Sequence, residues 1–262
     1  MLHIFTYGAG DITLFDHLKT SADFSGLNIN YVERAKWNGF FDKIKIMYDV
    51  IQNLPENDIV CFVDGFDVLA TADNNEILDK FLEFNCDLLI STEANSFPEK
   101  YRLQYDHSGV KTCFKFANSG GFVGYKRALM EVYKWKTLEE IAEICKVGSD
   151  QAYFIEYYLA HAATKNIKLD TKGRIFLSLY GIGWTDIEFI EGRVFNRGLG
   201  ENPCFLHFNG HTYYSDKKVN ILPVINDKIK LSLDTGVVQN LNEHSQDFGA
   251  IYFRREQTNP NY

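Results

Sequence analysis

The chain has 262 residues, of which 45% are hydrophobic and 15% aromatic, enough apolar material for a sizeable core. Its formal net charge is -8 and no run of Lys or Arg stands out, which argues against non-specific nucleic-acid binding. The five cysteines, Cys61, Cys86, Cys113, Cys145 and Cys204, form no C-x-x-C pair, which argues against a disulfide framework and structural zinc.

The segment Met1-Leu2-His3-Ile4-Phe5 enters a predicted strand directly. It has no basic n-region and no cleavage site, so a reducing, cytoplasmic compartment is the default unless an upstream piece has been trimmed. No apolar run is long enough to span a bilayer, and no membrane partner is expected. No Pro/Gly/Ser-rich linker divides the sequence, so one α/β domain over residues 1–262 is expected, with 235–262 a polar extension.

In chain order, short apolar runs at 2–7, 29–32, 59–63, 88–91 and 204–208 read as buried strands. Helical patterns lie between them. In 43–54, Ile44, Met47, Tyr48 and Ile51 recur at helical spacing. A second helix at 77–84 follows Asn74-Asn75, which can cap it, and a third, rich in aromatics, spans 151–163. This alternation predicts a mostly parallel sheet with helices on both faces. Ligands of such sheets bind beyond the carboxyl ends of the strands.

The strand at 59–63 runs straight into Asp64-Gly65-Phe66-Asp67. Two carboxylates at a strand end repel each other and are costly to desolvate. A divalent cation removes that cost, and Mg²⁺ or Mn²⁺ suits oxygen ligands shared with a substrate phosphate. Gly65 is read as allowing a sharp turn between the ligands. The alternative is a solvated turn with an Asp capping the next helix. A phosphotransferase with an Asp nucleophile fits poorly, because that chemistry uses Asp-x-Asp after the first strand.

Three later segments carry polar groups. In Phe116-Ala117-Asn118-Ser119-Gly120-Gly121-Phe122-Val123-Gly124-Tyr125, the paired glycines permit close backbone approach and Asn118 can hydrogen-bond a sugar; a tight turn between strands explains the segment equally. In Gly148-Ser149-Asp150-Gln151, Ser149 reads as an N-cap and Asp150 as a first-turn acid, or as a base or charge stabiliser. Phe205-Leu206-His207-Phe208-Asn209-Gly210-His211 ends a late strand in a histidine, and imidazole beside two carboxylates favours Mn²⁺ over Mg²⁺.

Together these segments resemble the glycosyltransferase domain of the procollagen lysyl hydroxylases and the related collagen galactosyl- and glucosyltransferases, over residues 2–213. The resemblance rests on Phe62-Val63-Asp64-Gly65-Phe66-Asp67-Val68, Ser91-Thr92-Glu93, Asn118-Ser119-Gly120-Gly121-Phe122, Asp150-Gln151, Leu169-Asp170 with Arg174-Ile175-Phe176, and His207-Phe208-Asn209-Gly210. It implies a GT-A fold, a Rossmann-like sheet that binds a UDP-sugar donor and Mn²⁺, with Mg²⁺ as the alternative ion. Asp64, Asp67 and His207 correspond to the metal ligands. Thr6 at the first strand exit, Phe66 in place of a uracil-stacking Tyr, Trp37, Asp64 and Gly210 correspond to nucleotide contacts. Lys43, Asn118 and Asp150 correspond to groups near the diphosphate and sugar.

The sequence departs from the family at Gly148-Ser149-Asp150, where an acidic run is usual, at Phe97-Pro98 in place of Trp-Pro, and at Leu177 in place of Gln. These changes touch the sugar and acceptor side. The resemblance implies hexose transfer to an acceptor hydroxyl, such as hydroxylysine or galactosyl-hydroxylysine of a collagen-like protein. A non-catalytic or hydrolysis-only UDP-sugar-binding module is the alternative. As a fragment of a larger secretory-pathway enzyme, the chain would sit in the ER lumen.

Overall fold

The computed structural model describes residues 1–106, 109–180, 186–210 and 221–240. The opening strand β1 (Leu2–Ala9) is followed by a short 3-10 turn, α1 (Asp16–Ser25), β2 (Asn30–Arg34) and α2 (Phe40–Ile51). Then come β3 (Ile59–Asp64), β4 (Val68–Ala70), α3 (Asn74–Phe84), β5 (Leu88–Glu93), β6 (Phe116–Tyr125), α4 (Lys126–Tyr133) and α5 (Leu138–His161). The described chain ends through β7 (Ile167–Leu169), β8 (Phe176–Ser178), β9 (Ile187–Ile190), β10 (Arg193–Asn196), β11 (Phe205–His207), α6 (Ile221–Thr235) and β12 (Gln239–Asn240).

The main sheet has strand order β2-β1-β3-β6-β5-β8-β11-β4, with β7 paired to β5. It is parallel through β2-β1-β3 and again through β5-β8-β11, while β6 and β4 run antiparallel to their neighbours. Strand alternation assigns the two faces. On β3, Val60 and Phe62 pack with Ile44, Met47 and Ile51 of α2. Ile59, Cys61 and Val63 pack with Leu18 of α1 and Ile77 and Phe81 of α3. Helices therefore cover both faces, as the alternating pattern predicts. A third cluster joins β8 and β11 to β9, β10 and α6 through Leu177, Leu206, Phe189 and Ile229. No helix among the described residues is long and apolar enough to cross a membrane.

The structure revises several sequence expectations. Segment 116–125 is not a turn: it is one continuous strand hydrogen-bonded on both sides, with an irregularity opposite Ile90 and Ser91. Gly120 and Gly121 leave room for side chains that cross it, and a Cβ at Gly121 would lie 2.6 Å from the Phe176 ring. The cap of α3 is Asp73, whose carboxylate accepts from Glu76 N, rather than Asn74 or Asn75. The helix read at 151–163 is the second half of α5. Its first half starts at a capping box between Thr137 and Glu140, and the two halves meet at non-helical Gly148 and Ser149. At the C-terminal end, Gln239 and Asn240 pair with β9, whereas the rest of the expected extension, 241–262, lies outside the described residues.

Candidate active site

β3 carries Asp64 to the carboxyl edge of the sheet, and the chain turns through Gly65 and Phe66 to Asp67 before entering β4. β4 lies beside β11, with Val68 opposite His207, and Phe208 N donates to the Asp67 carbonyl at 2.8 Å. This pairing brings a histidine from late in the chain to the two acids. His207 Nε2 is 3.4 Å from Asp67 Oδ2 and 3.7 Å from Asp64 Oδ2. One donor atom from each of the three residues lies within 4.8 Å of the others, a set that could hold a metal ion. Burial pushes the His207 imidazolium down, but Asp67, then Asp64 and Glu93, outweigh it and raise its pKa.

Steric room at this cluster comes from two glycines. A Cβ at Gly120 would lie 2.1 Å from His207 Cε1 and 2.8 Å from Asp64 Oδ2. A Cβ at Gly65 would lie 2.1 Å from Phe15 Cε1 and 2.8 Å from Thr6 Oγ1. Gly65 is absent from the positive-φ positions, so it serves packing rather than the turn geometry expected from the sequence.

Lys43 of α2 is buried beside the acids. Its Nζ lies 2.7 Å from Asp64 Oδ1 and 2.8 Å from Asp150 Oδ2, donates to the Ser119 carbonyl at 3.3 Å, and sits 4.7 Å from the Phe62 ring centroid. Burial alone would lower the Lys43 pKa, yet Asp150 and Asp64 override it and the pKa is raised. Asp150 is buried at the joint of α5, where Ser149 takes φ 62° and ψ 179° and its Oγ accepts from Gln151 N at 3.2 Å. Ser149 thus caps the second half of α5 as expected, while Asp150 points into the ion pair instead of standing free in a first turn.

Glu93, at the end of β5, is the residue that sequence reasoning left without a role. Its Oε1 accepts from Asn118 Nδ2 at 3.0 Å and Gln151 Nε2 at 2.7 Å, and its Oε2 from Asn209 Nδ2 at 3.0 Å. Burial raises its pKa against these hydrogen bonds. An acid closing a buried apolar run was the available signal. Asn118 is engaged at both ends of its amide, since its Oδ1 accepts from Gly120 N at 2.8 Å. Asp170 proves structural: its carboxylate accepts from the backbone N–H groups of Arg174, Ile175 and Phe176. Leu177 is fully buried in the third core cluster.

The remaining expected contacts surround this centre. Thr6 lies within β1, three residues before its end, because that strand runs on past Tyr7 to Ala9; its Oγ1 is buried beneath Gly65 without a partner. Phe66 packs on Phe15, 5.0 Å between centroids, and covers Gly8. Trp37, between β2 and α2, is 44% exposed, and its ring lies 6.0 Å from that of Tyr7, the β1 residue that pairs with Asp64. Gly210, at φ 62°, leaves room for the Tyr180 ring, and Phe97 is exposed with its carbonyl accepting from Gln151 Nε2 at 2.6 Å. His211 and Tyr213 lie outside the described residues.

The chain matches the family described as the PLOD GT domain over residues 16–227. It is 31% identical over 163 residues to the human multifunctional procollagen lysine hydroxylase and glycosyltransferase LH3, covering 60% of this chain and 21% of that protein. It is 30% identical over 193 residues to the multifunctional procollagen lysine hydroxylase and glycosyltransferase of Caenorhabditis elegans, covering 67% and 26%. The matches thus span about a fifth to a quarter of those relatives' length. Among solved structures, the galactosyltransferase LgtC in complex with donor and acceptor sugar analogs aligns with a TM-score of 0.52 at 10% identity, covering 88% of this chain and 96% of that one. That likeness is one of fold, and it agrees with the GT-A expectation.

Proposed function

Because the chain belongs to the PLOD GT domain family, we propose that it acts as one glycosyltransferase domain that moves a hexose from a UDP-sugar to an acceptor hydroxyl, with Mn²⁺ held by Asp64, Asp67 and His207. The observation that carries this reading is the convergence of those three donors from two strand ends. The residues fit the ion: two carboxylate oxygens and one imidazole nitrogen form a donor set suited to Mn²⁺, and Gly120 leaves the space they need. When bound, such an ion offsets the charge that grows on a nucleoside diphosphate as the glycosidic bond breaks.

The protein's own groups are proposed to do the rest. Phe66, backed by Phe15, offers an aromatic face for the uracil, and Trp37 with Gly210 borders the nucleotide, while Thr6 supports that border from beneath Gly65. Lys43 carries a buried positive charge beside Asp64, where diphosphate oxygens would approach. Asp150, positioned by Lys43, is proposed to face the sugar and stabilise charge at the reacting carbon. Glu93 ties Asn118, Gln151 and Asn209 into one rigid wall, which holds the sugar in register with the acceptor.

The acceptor is proposed to be hydroxylysine or galactosyl-hydroxylysine of a collagen-like chain, in line with the names of the relatives. The test is UDP release from a panel of UDP-sugars in Mn²⁺, with and without such an acceptor. Acceptor-stimulated UDP release is the expected result. Release unaffected by any acceptor would leave only hydrolysis, and no release with intact UDP binding would leave a binding module.

A further inference from the structure

Among the described residues, the imidazole of the candidate metal cluster meets protein groups through one ring nitrogen only. His207 Nε2 faces the two carboxylates, while His207 Nδ1 is fully buried and has no protein partner. Two serine hydroxyls share that condition: Ser178 Oγ and Ser91 Oγ are also buried without partners. The orphaned Ser178 Oγ and His207 Nδ1 belong to paired residues and call for a common explanation, because buried polar groups are almost always satisfied.

Sheet register places them together. Ser178 on β8 is the partner of His207 on β11. Thr92 pairs with Leu177, which sets Glu93 on β5 beside Ser178 on the other side. Residues in register on adjacent strands share a face; Ser91, two residues before Glu93, stands level with Phe176 and so outside this row. The row Glu93, Ser178, His207 therefore runs across three neighbouring strands under the metal cluster. β6 contributes Gly120 at the ring, so no side chain from that residue reaches Nδ1. Glu93 Oε2 accepts a single hydrogen bond, from Asn209, and retains capacity for another.

We propose that Ser178 is a positioning residue for His207: with Glu93 Oε2, it holds one buried water that accepts the Nδ1 proton of the imidazole. A water at such a place has the two to four polar partners that buried waters require. Once a cation takes Nε2, the imidazole carries its remaining proton on Nδ1; the water accepts it there and holds the ring toward Asp64 and Asp67. This inference rests on the reading of Nε2 as a metal ligand.

The experiment is calorimetry on wild type, Ser178→Ala, Ser178→Thr, Ser178→Gly and His207→Gln, each first checked for folding by circular dichroism; Ser178→Gly removes the same hydroxyl and stands in if Ser178→Ala does not fold. In calorimetry with Mn²⁺ alone, Ser178→Ala is expected to weaken binding roughly 10–100-fold, and Ser178→Thr, which keeps the hydroxyl, to restore it. Wild-type Mn²⁺ affinity in a folded Ser178→Ala protein would overturn the proposal. If His207→Gln itself binds Mn²⁺ like wild type, the metal reading fails along with the inference; if His207→Gln loses Mn²⁺ while Ser178→Ala does not, only the inference fails.

Discussion

Lys43 and Asp150 form a buried ion pair, with Nζ and Oδ2 2.8 Å apart, that joins α2 to the joint of α5 at the edge of the candidate metal cluster. The same ammonium reaches Asp64 at 2.7 Å. One lysine thus fixes an acid of the cluster and an acid proposed to act on the sugar.

The pair changes what Asp150→Asn should do. As a first-turn helix acid, Asp150 would contribute only about 0.3–1 kcal/mol. As the partner of a buried lysine, its loss is expected to cost about 1–3 kcal/mol of stability. Turnover is expected to fall about 100-fold or more, while Mn²⁺-dependent UDP binding persists. Chemical denaturation and steady-state kinetics measure the two effects separately. Wild-type turnover in this variant would return Asp150 to a purely structural role.

Removing any one ligand should weaken the cluster as a whole. Asp64→Ala, Asp67→Ala and His207→Ala are each expected to lower Mn²⁺-dependent UDP affinity by more than about tenfold, since even outer-shell changes reach that size. Calorimetry with and without a chelator reads this directly. An Asp67→Ala protein that binds UDP normally in Mn²⁺ and loses that binding to chelator would place the metal elsewhere.

A methyl group at position 120 tests the same site by sterics alone. The Cβ of Gly120→Ala would meet His207 Cε1 at 2.1 Å and Asp64 Oδ2 at 2.8 Å, so the ring or the carboxylate must shift. Overpacking of this kind costs about 1–3 kcal/mol. The variant is expected to fold, melt lower, and bind Mn²⁺ far more weakly than wild type. Unchanged Mn²⁺ affinity would show that the ring orientation is not critical.

Phe66→Ala removes the aromatic face proposed for the base. Base–aromatic stacking is worth about 1–3 kcal/mol, so the donor KM is expected to rise by roughly fivefold or more. A second loss is structural, because Phe66 also packs on Phe15. Phe66→Leu retains much of that packing without a ring, so equal KM values for the Leu variant and wild type would count against stacking.

Much of this site can be read from the linear chain. The apolar run of β3 ending in Asp64-Gly65-Phe66-Asp67 announces acids at a strand exit, and His207 closes another strand in the same way. Burial imposes a period on sequence, and the period is local, so β3, α2 and the second half of α5 are legible without neighbours. The first half of α5 was hidden because its end is broken at Gly148 and Ser149, and β6 was hidden because paired glycines mimic a turn.

What the linear chain leaves open is which polar groups meet. Nothing local in Glu93 says that Asn118, Gln151 and Asn209 will converge on it, and nothing near Lys43 names Asp150 as its partner. Those choices belong to the tertiary structure. A buried charge is tolerated only where folding brings it a counter-charge or donors, and here those come from strands and helices remote in sequence. The sequence determined where acids, amides and an imidazole stand on their elements; the order of strands in the sheet decided that they stand together.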